Sequence, residues 1–334
     1  MFARDIGIDL GTANVLIYVK GKGIVLNEPS VVAVESDSRD VFAVGEEARQ
    51  MIGRTPLNIE TLRPLKNGVI ADFDVTEAML KHFLEKIEGN GLLSKPRMLI
   101  CCPTDITKVE QKAIREAGEK SGAKKVYLEE EPKVAAIGAG MDIFQPSANM
   151  LIDIGGGTTE VAVFSMGDIV MSSSIKMAGN SFDADILNYI KKEYTLLIGE
   201  LTAERVKIDV ATAFPGSRDE EMDIRGRDII SGLPRTITVT SEEIGEALKE
   251  SIGTIVEAAR QVLEETPPEL SADIIDRGIL LTGGGALLHG TDQLLAEELK
   301  VPVFVAENPL DCVAKGTGIM LGNIDRINKK PRTG

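Results

Sequence analysis

Short apolar stretches alternate along this chain with longer amphipathic ones, and the same order of elements occurs twice. The apolar run ending at Asp9 is followed by β-rich stretches at Val15–Val19, Ile24–Leu26 and Val31–Val34. The run ending at Asp153 is followed by Glu160–Ser165 and Asp168–Ile175, with a turn at Met166-Gly167-Asp168 between them. Helical periodicity then takes over in both copies. Asp74-x-x-Glu77 predicts a capping box for a helix that turns Met79, Leu80, Phe83, Leu84 and Ile87 inward and stops at Gly89. Thr107-x-x-Glu110 opens a second helix, with Val109, Ala113, Ile114 and Ala117 inward and Gly122 past its end. In the second copy Ser181 caps a segment carrying Phe182, Ile186 and Ile190. Thr240 or Ser241 starts the longest helix, where Ile244, Leu248, Ile252, Val256, Ala259 and Leu263 keep period until Pro267-Pro268. Further strands are predicted at Arg97–Cys102, Lys125–Leu128, Gly278–Leu281 and Val303–Val305.

This repetition predicts a duplicated α/β fold, with two domains flanking a cleft and a small inserted subdomain in each. The boundaries expected are 1–139 with 318–334 for domain I, its insertion at about 33–65, and 140–317 for domain II, its insertion at about 178–247. A length of 334 residues suits two cores. Phe214–Glu221 reads as a charged surface loop and Asn323–Gly334 as a solvated tail.

Composition narrows the function. The chain holds 37 Lys and Arg against 52 Asp and Glu, a net charge of −15, with 9 Phe, 4 Tyr and no Trp. An acidic surface with few stacking platforms argues against a nucleic-acid partner. Cys101, Cys102 and Cys312 have neither disulfide nor zinc spacing and read as buried thiols. Charges at Arg4 and Asp5 interrupt any signal-peptide core, and no apolar run reaches the ~18 residues of a membrane span. A cytoplasmic chain is the expectation.

The candidate chemistry lies in three glycine-containing loops, each directly after a strand. Residues 5–12 read Asp-Ile-Gly-Ile-Asp-Leu-Gly-Thr, and residues 151–158 read Leu-Ile-Asp-Ile-Gly-Gly-Gly-Thr. Glycine lets backbone approach a phosphate, and threonine offers a hydroxyl and an N–H. The first loop alone is equally a tight hairpin. Three consecutive glycines in the second are costly in entropy and ask for a ligand. One such loop per copy would hold phosphates from both sides, with Asp9 and Asp153 suited to Mg2+. The third loop, Thr282-Gly283-Gly284-Gly285-Ala286-Leu287, offers N–H groups where helical sequence begins and room for a flat group. P-loop and dinucleotide spacings are absent.

These motifs resemble the two phosphate motifs and the adenosine motif of the actin/Hsp70/sugar-kinase superfamily, which has an RNase H-like duplicated fold. Within it the chain is similar to the MreB family of bacterial actins. Residues 21–30 (Gly-Lys-Gly-Ile-Val-Leu-Asn-Glu-Pro-Ser), 68–73 (Gly-Val-Ile-Ala-Asp-Phe) and 196–200 (Leu-Leu-Ile-Gly-Glu) carry the match, which covers Arg4 to about Gly322. Residues 1–14, 95–102 and 127–132 resemble one paralogue within the family. The resemblance implies ATP and Mg2+ as cofactors, with Asp9 and Asp153 on the Mg2+ side, largely through water. Thr12, Ala13, Asn14, Gly155, Gly156, Gly157 and Thr158 would cradle phosphates, and Glu204, Lys207, Gly284, Gly285 and Ala286 would flank the adenosine. Glu131, helped by Thr158, would orient the attacking water. Read from the residues alone, Glu129-Glu130-Glu131 is equally a solvated acidic turn, in which three adjacent carboxylates could raise a pKa. Two positions depart from the family pattern: Asn180 replaces an acidic residue, and Lys315 stands in a hinge motif that is usually apolar.

Three function classes compete: a filament-forming ATPase, a small-molecule kinase or phosphatase on the same fold, and a chaperone ATPase. Only about a dozen residues follow Gly322, too few for a chaperone's substrate domain, and no base for a sugar kinase stands out. The expectation is therefore a weak ATPase whose filaments, by resemblance antiparallel pairs, organise cell-wall synthesis and rod shape with membrane-embedded elongation proteins. Leu92 and Leu93, at a glycine-rich tip ahead of Lys95 and Arg97, resemble the family's membrane-insertion loop, although the same leucines could fold into the core. Burying both yields roughly 3–6 kcal/mol, so a monomer would bind lipid on the inner face poorly, and a filament would bind by avidity.

Overall fold

The computed structural model describes residues 5–88 and 95–322. Half I begins with the antiparallel strands β1 (Asp5–Leu10), β2 (Asn14–Val19) and β3 (Gly23–Pro29). An excursion follows: β4 (Val32–Glu35), β5 (Val41–Val44), α1 (Glu46–Gln50) and β6 (Ile59–Leu62) make a three-stranded sheet and one short helix. A hairpin of β7 (Leu65–Lys66) and β8 (Val69–Ile70) leads to α2 (Phe73–Glu88), β9 (Arg97–Cys102), α3 (Lys108–Lys120) and β10 (Lys125–Glu130). The strand order is β10-β9-β1-β2-β3, with β9 and β10 parallel to β1. Helix α4 (Glu131–Gly138) then crosses to half II.

Half II repeats the plan with β11 (Asn149–Ile154), β12 (Thr159–Ser165) and β13 (Asp168–Ile175). Its excursion holds α5 (Gly179–Tyr194), β14 (Leu196–Leu197), α6 (Glu200–Asp209), β15 (Glu221–Asp228) and β16 (Pro234–Thr240). Next come α7 (Ser241–Glu265), α8 (Pro268–Arg277), β17 (Ile279–Thr282), α9 (Thr291–Leu299), β18 (Val303–Val305) and α10 (Cys312–Leu321). The order β13-β12-β11-β17-β18 is that of half I, strand for strand. The duplicated fold expected from the repeat is the one observed.

Each sheet buries one face in its own core, and a third apolar cluster joins the two. Leu99 and Cys101 of β9, Val134 of α4, Leu151 of β11, Phe164 of β12 and Met320 of α10 all contribute to this seam. Helices α4 and α10 cross in it with no room for side chains. A Cβ on Gly316 would lie 1.9 Å from the carbonyl oxygen of Val134, and one on Gly138 1.8 Å from that of Cys312. Lys315 sits beside this crossing and pairs with Asp311 at 3.5 Å.

Local signals hold in most places. Thr107 and Thr240 form capping boxes with Glu110 and Glu243. All three cysteines are free and buried, and burial pushes their thiols up. Three expectations are corrected. Helix α2 is capped by Asp72, whose carboxylate accepts the Val75 N–H at 3.1 Å, and Asp74 lies inside the first turn. Val109 points outward, 77% exposed, because its helix buries the stripe of Ile114 and Ala117. Ser181 sits three residues after the Ala178 cap and accepts that residue's N–H, so α5 starts three residues earlier than predicted. The predicted stop at Gly89, the Leu92–Leu93 loop and the tail from Asn323 lie outside the described residues.

Candidate functional site

The two Asp-Gly-Thr loops are hairpin turns, closed where Leu10 pairs with Val15 and Ile154 with Thr159. Ser30 holds the first from outside, its N–H on the Ala13 carbonyl at 2.8 Å and its hydroxyl on that of Gly11 at 2.6 Å. The second is closed by the Gly155 N–H on the Thr158 carbonyl at 2.9 Å. From the other side α5 docks on it: the N–H groups of Gly179 and Asn180 donate to the carbonyls of Gly155 and Gly156 at 3.1 and 2.8 Å. The turns meet at their glycines. A Cβ on Gly156 would lie 2.6 Å from that of Ala13, and one on Gly157 2.5 Å from Thr12 Oγ1. Thr12 Oγ1 also accepts the N–H of Gly68, at the tip of the β7–β8 hairpin, at 2.9 Å.

Behind the second turn the ladder of half II sets four polar residues in a row across adjacent strands: Thr282, Asp153, Glu160 and Ser174. Asp153 is 3% exposed, and its Oδ2 has no hydrogen-bond partner. Burial, with the charge of Glu160 adding and the Thr282 hydroxyl opposing, raises its pKa to about 7. Burial and then the charge of Asp153 raise Asp9 to about 7 as well. Two carboxylates that resist ionising together, one with an orphaned oxygen, fit a hard cation that takes oxygen ligands. Among the described residues no group of three or more His, Cys, Asp or Glu is placed to hold a metal, so such an ion at Asp9 and Asp153 would complete its shell with water or phosphate oxygen.

Glu131 is the first residue of α4, with Pro132 behind it, an arrangement that favours a helix start. Its pKa is raised well above the usual carboxylate range by burial first, then by Asp153, Asp9 and Glu160. The adjacent Glu129 and Glu130 are not among the causes. The acidic triplet is thus no solvated turn at this position, and Glu131 belongs to the carboxylate group of the cleft.

The third loop packs against Asp153 from the β17 side. Gly283 has φ +78, and a Cβ there would lie 2.4 Å from Asp153 Oδ1. One on Gly285 would lie 2.2 Å from Ile154 Cγ2. Gly284 is exposed and Ala286 buried. The loop continues as a 3-10 turn over Gly284–Leu287, and α9 begins only at Thr291, so the N–H groups there belong to a tight turn rather than a long helix. Lys207 pairs with Asp183 at 2.8 Å and donates to the Gly179 carbonyl at 3.0 Å, which brings it to the rear of the triple-glycine turn. Glu204, one turn earlier on α6, is held by Arg49 of α1 at 2.7 Å.

Sequence reading missed Glu160, Thr104 and the arginines of the half I insertion. Arg49 and Arg63 reach Glu204 and Glu200 at 2.7 and 3.6 Å across the cleft mouth. Partners this far apart in sequence leave no local pattern. A charged residue inside an apolar strand, as at Glu160, was the one available signal. No helix among the described residues is long and apolar enough to cross a membrane.

The chain matches the family model described as MreB/Mbl protein over residues 3–329. It is 76% identical over 330 residues, 99% of each chain, to the cell shape-determining protein Mbl of Bacillus subtilis (strain 168), the paralogue that its opening residues resemble. It is 53% identical to the cell shape-determining protein MreB of Escherichia coli (strain K12), over 97% of this chain and 95% of that one. Among solved structures, MreB 5 of Spiroplasma citri bound to AMPPNP superposes with a TM-score of 0.94 at 41% identity, covering 98% of this chain and 99% of that one. The MamK double helical filament superposes at 0.81 and 20% identity over 96% and 99%, which shows a shared fold.

Proposed function

The chain belongs to the MreB/Mbl protein family, and on that premise we propose that it is an ATP-binding, filament-forming actin-like protein that helps set cell shape. The observation that carries the reading is the pair of turns, Thr12–Ala13 against Gly156–Gly157, with Asp9 and Asp153 behind them. Backbone N–H groups and the Thr12, Asn14 and Thr158 side chains offer donors to phosphates from both halves. The MreB 5 structures with AMPPNP and with ADP support a nucleotide in such a cleft. Glu204 and Lys207 on one side, and Gly284, Gly285 and Ala286 on the other, are assigned to the adenosine. Mg2+, when bound, would neutralise phosphate charge, and the unpartnered Asp153 Oδ2 suits it.

Hydrolysis at this site is a matter of positioning more than covalent chemistry. Glu131 and Thr158 would hold the attacking water, and a carboxylate with a raised pKa makes Glu131 a stronger base once ionised. Turnover is slow in this reading. The two domains are taken as 1–139 with 318–334 and 140–317, hinged where α4 and α10 cross. Filaments would pair antiparallel, lie on the inner face of the membrane through Leu92 and Leu93, and guide membrane-embedded cell-wall elongation proteins.

The test is negative-stain electron microscopy on an anionic lipid monolayer, with and without Mg-ATP. Double filaments on lipid that require ATP are expected, and Leu92→Ser/Leu93→Ser should keep the filaments while losing the lipid. Absence of filaments with any nucleotide would overturn the cytoskeletal reading and leave a phosphotransferase on the same fold.

A further inference from the structure

The buried carboxylate of Glu160 has no part in the reading above. It is 1% exposed, at a ladder position facing Asp153. In half I the equivalent position, facing Asp9, is filled by Leu16. The fold therefore accepts an apolar residue there, and a buried carboxylate needs another reason. Its donors come from both halves. Ser174 Oγ donates from β13, while Thr104 donates its hydroxyl at 2.8 Å and its N–H at 3.3 Å from the loop after β9. That loop leaves β9 at Cys102, which pairs with Glu130 of β10, one residue before Glu131. Within the same loop Pro103 packs on Gly68, whose N–H is held by Thr12. One carboxylate of half II thus fastens the loop of half I that begins beside the strand end before Glu131 and against which Gly68, held by Thr12, is packed.

We propose that Glu160 is a positioning residue for phosphate hydrolysis, which by accepting the two donors of Thr104 across the seam fixes Glu131 relative to Asp153 and Thr158. The inference rests on the ATP-hydrolysis reading above. Removing the tie leaves the phosphate turns and the adenosine residues in place, so binding survives while the water-orienting carboxylate loses its register. A misplacement of this kind acts on the rate of the chemical step.

The experiment uses the full chain with Mg-ATP and compares Glu160→Leu, which installs the residue of half I, with Thr104→Val, Glu160→Gln and the Glu160→Leu/Thr104→Val double variant. In Glu160→Leu, affinity for a fluorescent ATP analogue should stay within about threefold, and single-turnover phosphate formation should slow by about tenfold to a hundredfold. Thr104→Val should slow it in the same direction. The double variant should be no slower than the slower single, because both remove one contact. Glu160→Gln, whose amide oxygen still accepts from Thr104, should recover most of the rate. In the nucleotide-free chain the Thr104 amide of Glu160→Leu should exchange with solvent about tenfold faster. Wild-type rates in both Thr104→Val and Glu160→Leu would overturn the inference, as would effects that multiply in the double variant or a Glu160→Gln as slow as Glu160→Leu. Should Glu160→Leu not fold, Thr104→Val and Glu160→Gln carry the same test. If the wild-type chain binds nucleotide and forms no phosphate, the hydrolysis reading fails, and the exchange of Thr104 still reports the tie.

Discussion

Half I and half II share strand order and ladder, yet the residue facing Asp9 is the buried Leu16 and the residue facing Asp153 is the buried Glu160. One strand further out, Leu16 faces the exposed Asn27, while Glu160 faces Ser174 and accepts its hydroxyl. The excursions differ as well. Both reach the main core of their half, that of half I through Val32, Val34 and Val44 of its strands and that of half II through Phe182, Ile186 and Val206 of its helices, and the half I excursion adds a small cluster of Val31, Ala33, Ala43 and Ala48. Duplication thus supplies one scaffold twice, and at this ladder position the buried carboxylate with arranged donors belongs to half II.

The strongest way to break this comparison is to exchange the two residues. Leu16→Glu places a carboxylate where no donors have been arranged and should cost about 3–5 kcal/mol of stability. Glu160→Leu should cost less than about 2 kcal/mol, since the lost desolvation penalty offsets the unmet donors of Thr104 and Ser174. Urea unfolding of both variants measures the difference. Equal costs would mean that the halves tolerate charge alike. Next in size is the seam that keeps the halves together. Gly316→Ala puts a Cβ 1.9 Å from the Val134 carbonyl and should cost about 2–3 kcal/mol. Gly253→Ala in α7, with nothing within 4 Å, should instead gain up to about 1 kcal/mol.

At the ladder position just before the two turns the halves carry the same acid. Asp9 and Asp153 both have folded-state pKa values raised from 3.8 to about 7. The folded chain therefore binds more protons than the unfolded one between those values, and their contribution to stability falls as pH rises from about 4 to 7, then levels. The sign is opposite to that of a salt-bridged carboxylate. Each extra proton held contributes a slope of about 1.4 kcal/mol per pH unit. Other groups titrate in the same range, so the measurement is the difference in urea stability between the wild-type chain and Asp9→Asn/Asp153→Asn from pH 5 to 8, without nucleotide or metal. The difference should grow in favour of the variant as pH rises. A pH-independent difference would mean that the pair is ionised throughout.

Local chemistry made the repeat legible. Strand, Asp, Gly and Thr sit within a few residues of one another, and the boxes at Thr107 and Thr240 close over three, so no tertiary knowledge is needed. Where the local signal was ambiguous it misled. Asp72 and Asp74 both precede an amphipathic stretch, and the β7–β8 hairpin just upstream decides for Asp72. Val109 has the period of a buried residue, but one more residue at the edge of a helix face was not covered. The polar row from Thr282 to Ser174 joins four strands whose register the sequence does not state, and Glu160 meets Thr104 across 56 residues. Function at this site is a long-range coincidence of short-range motifs, which is why the turns were readable and their bracing was not.

The smallest effect belongs to the contact by which the two excursions meet. Arg49 and Glu204 are each about one-third exposed, so their 2.7 Å pair is screened, and Arg49→Ala should change stability by less than about 1 kcal/mol. The same change should vanish in 1 M salt, where the Debye length is about 3 Å. Its consequence should nevertheless be lopsided. Helix α1, which carries Arg49, buries Ala48 alone, so amide exchange across residues 46–50 should quicken in Arg49→Ala, while α6, packed into half II through Ala203 and Val206, should keep its protection. The release rate of a fluorescent ATP analogue should rise by no more than about fivefold, the equivalent of the lost pair. Equal loosening of both helices would show that the pair, rather than their unequal burial, sets their mobility, and the asymmetry between the halves would then end at the strands.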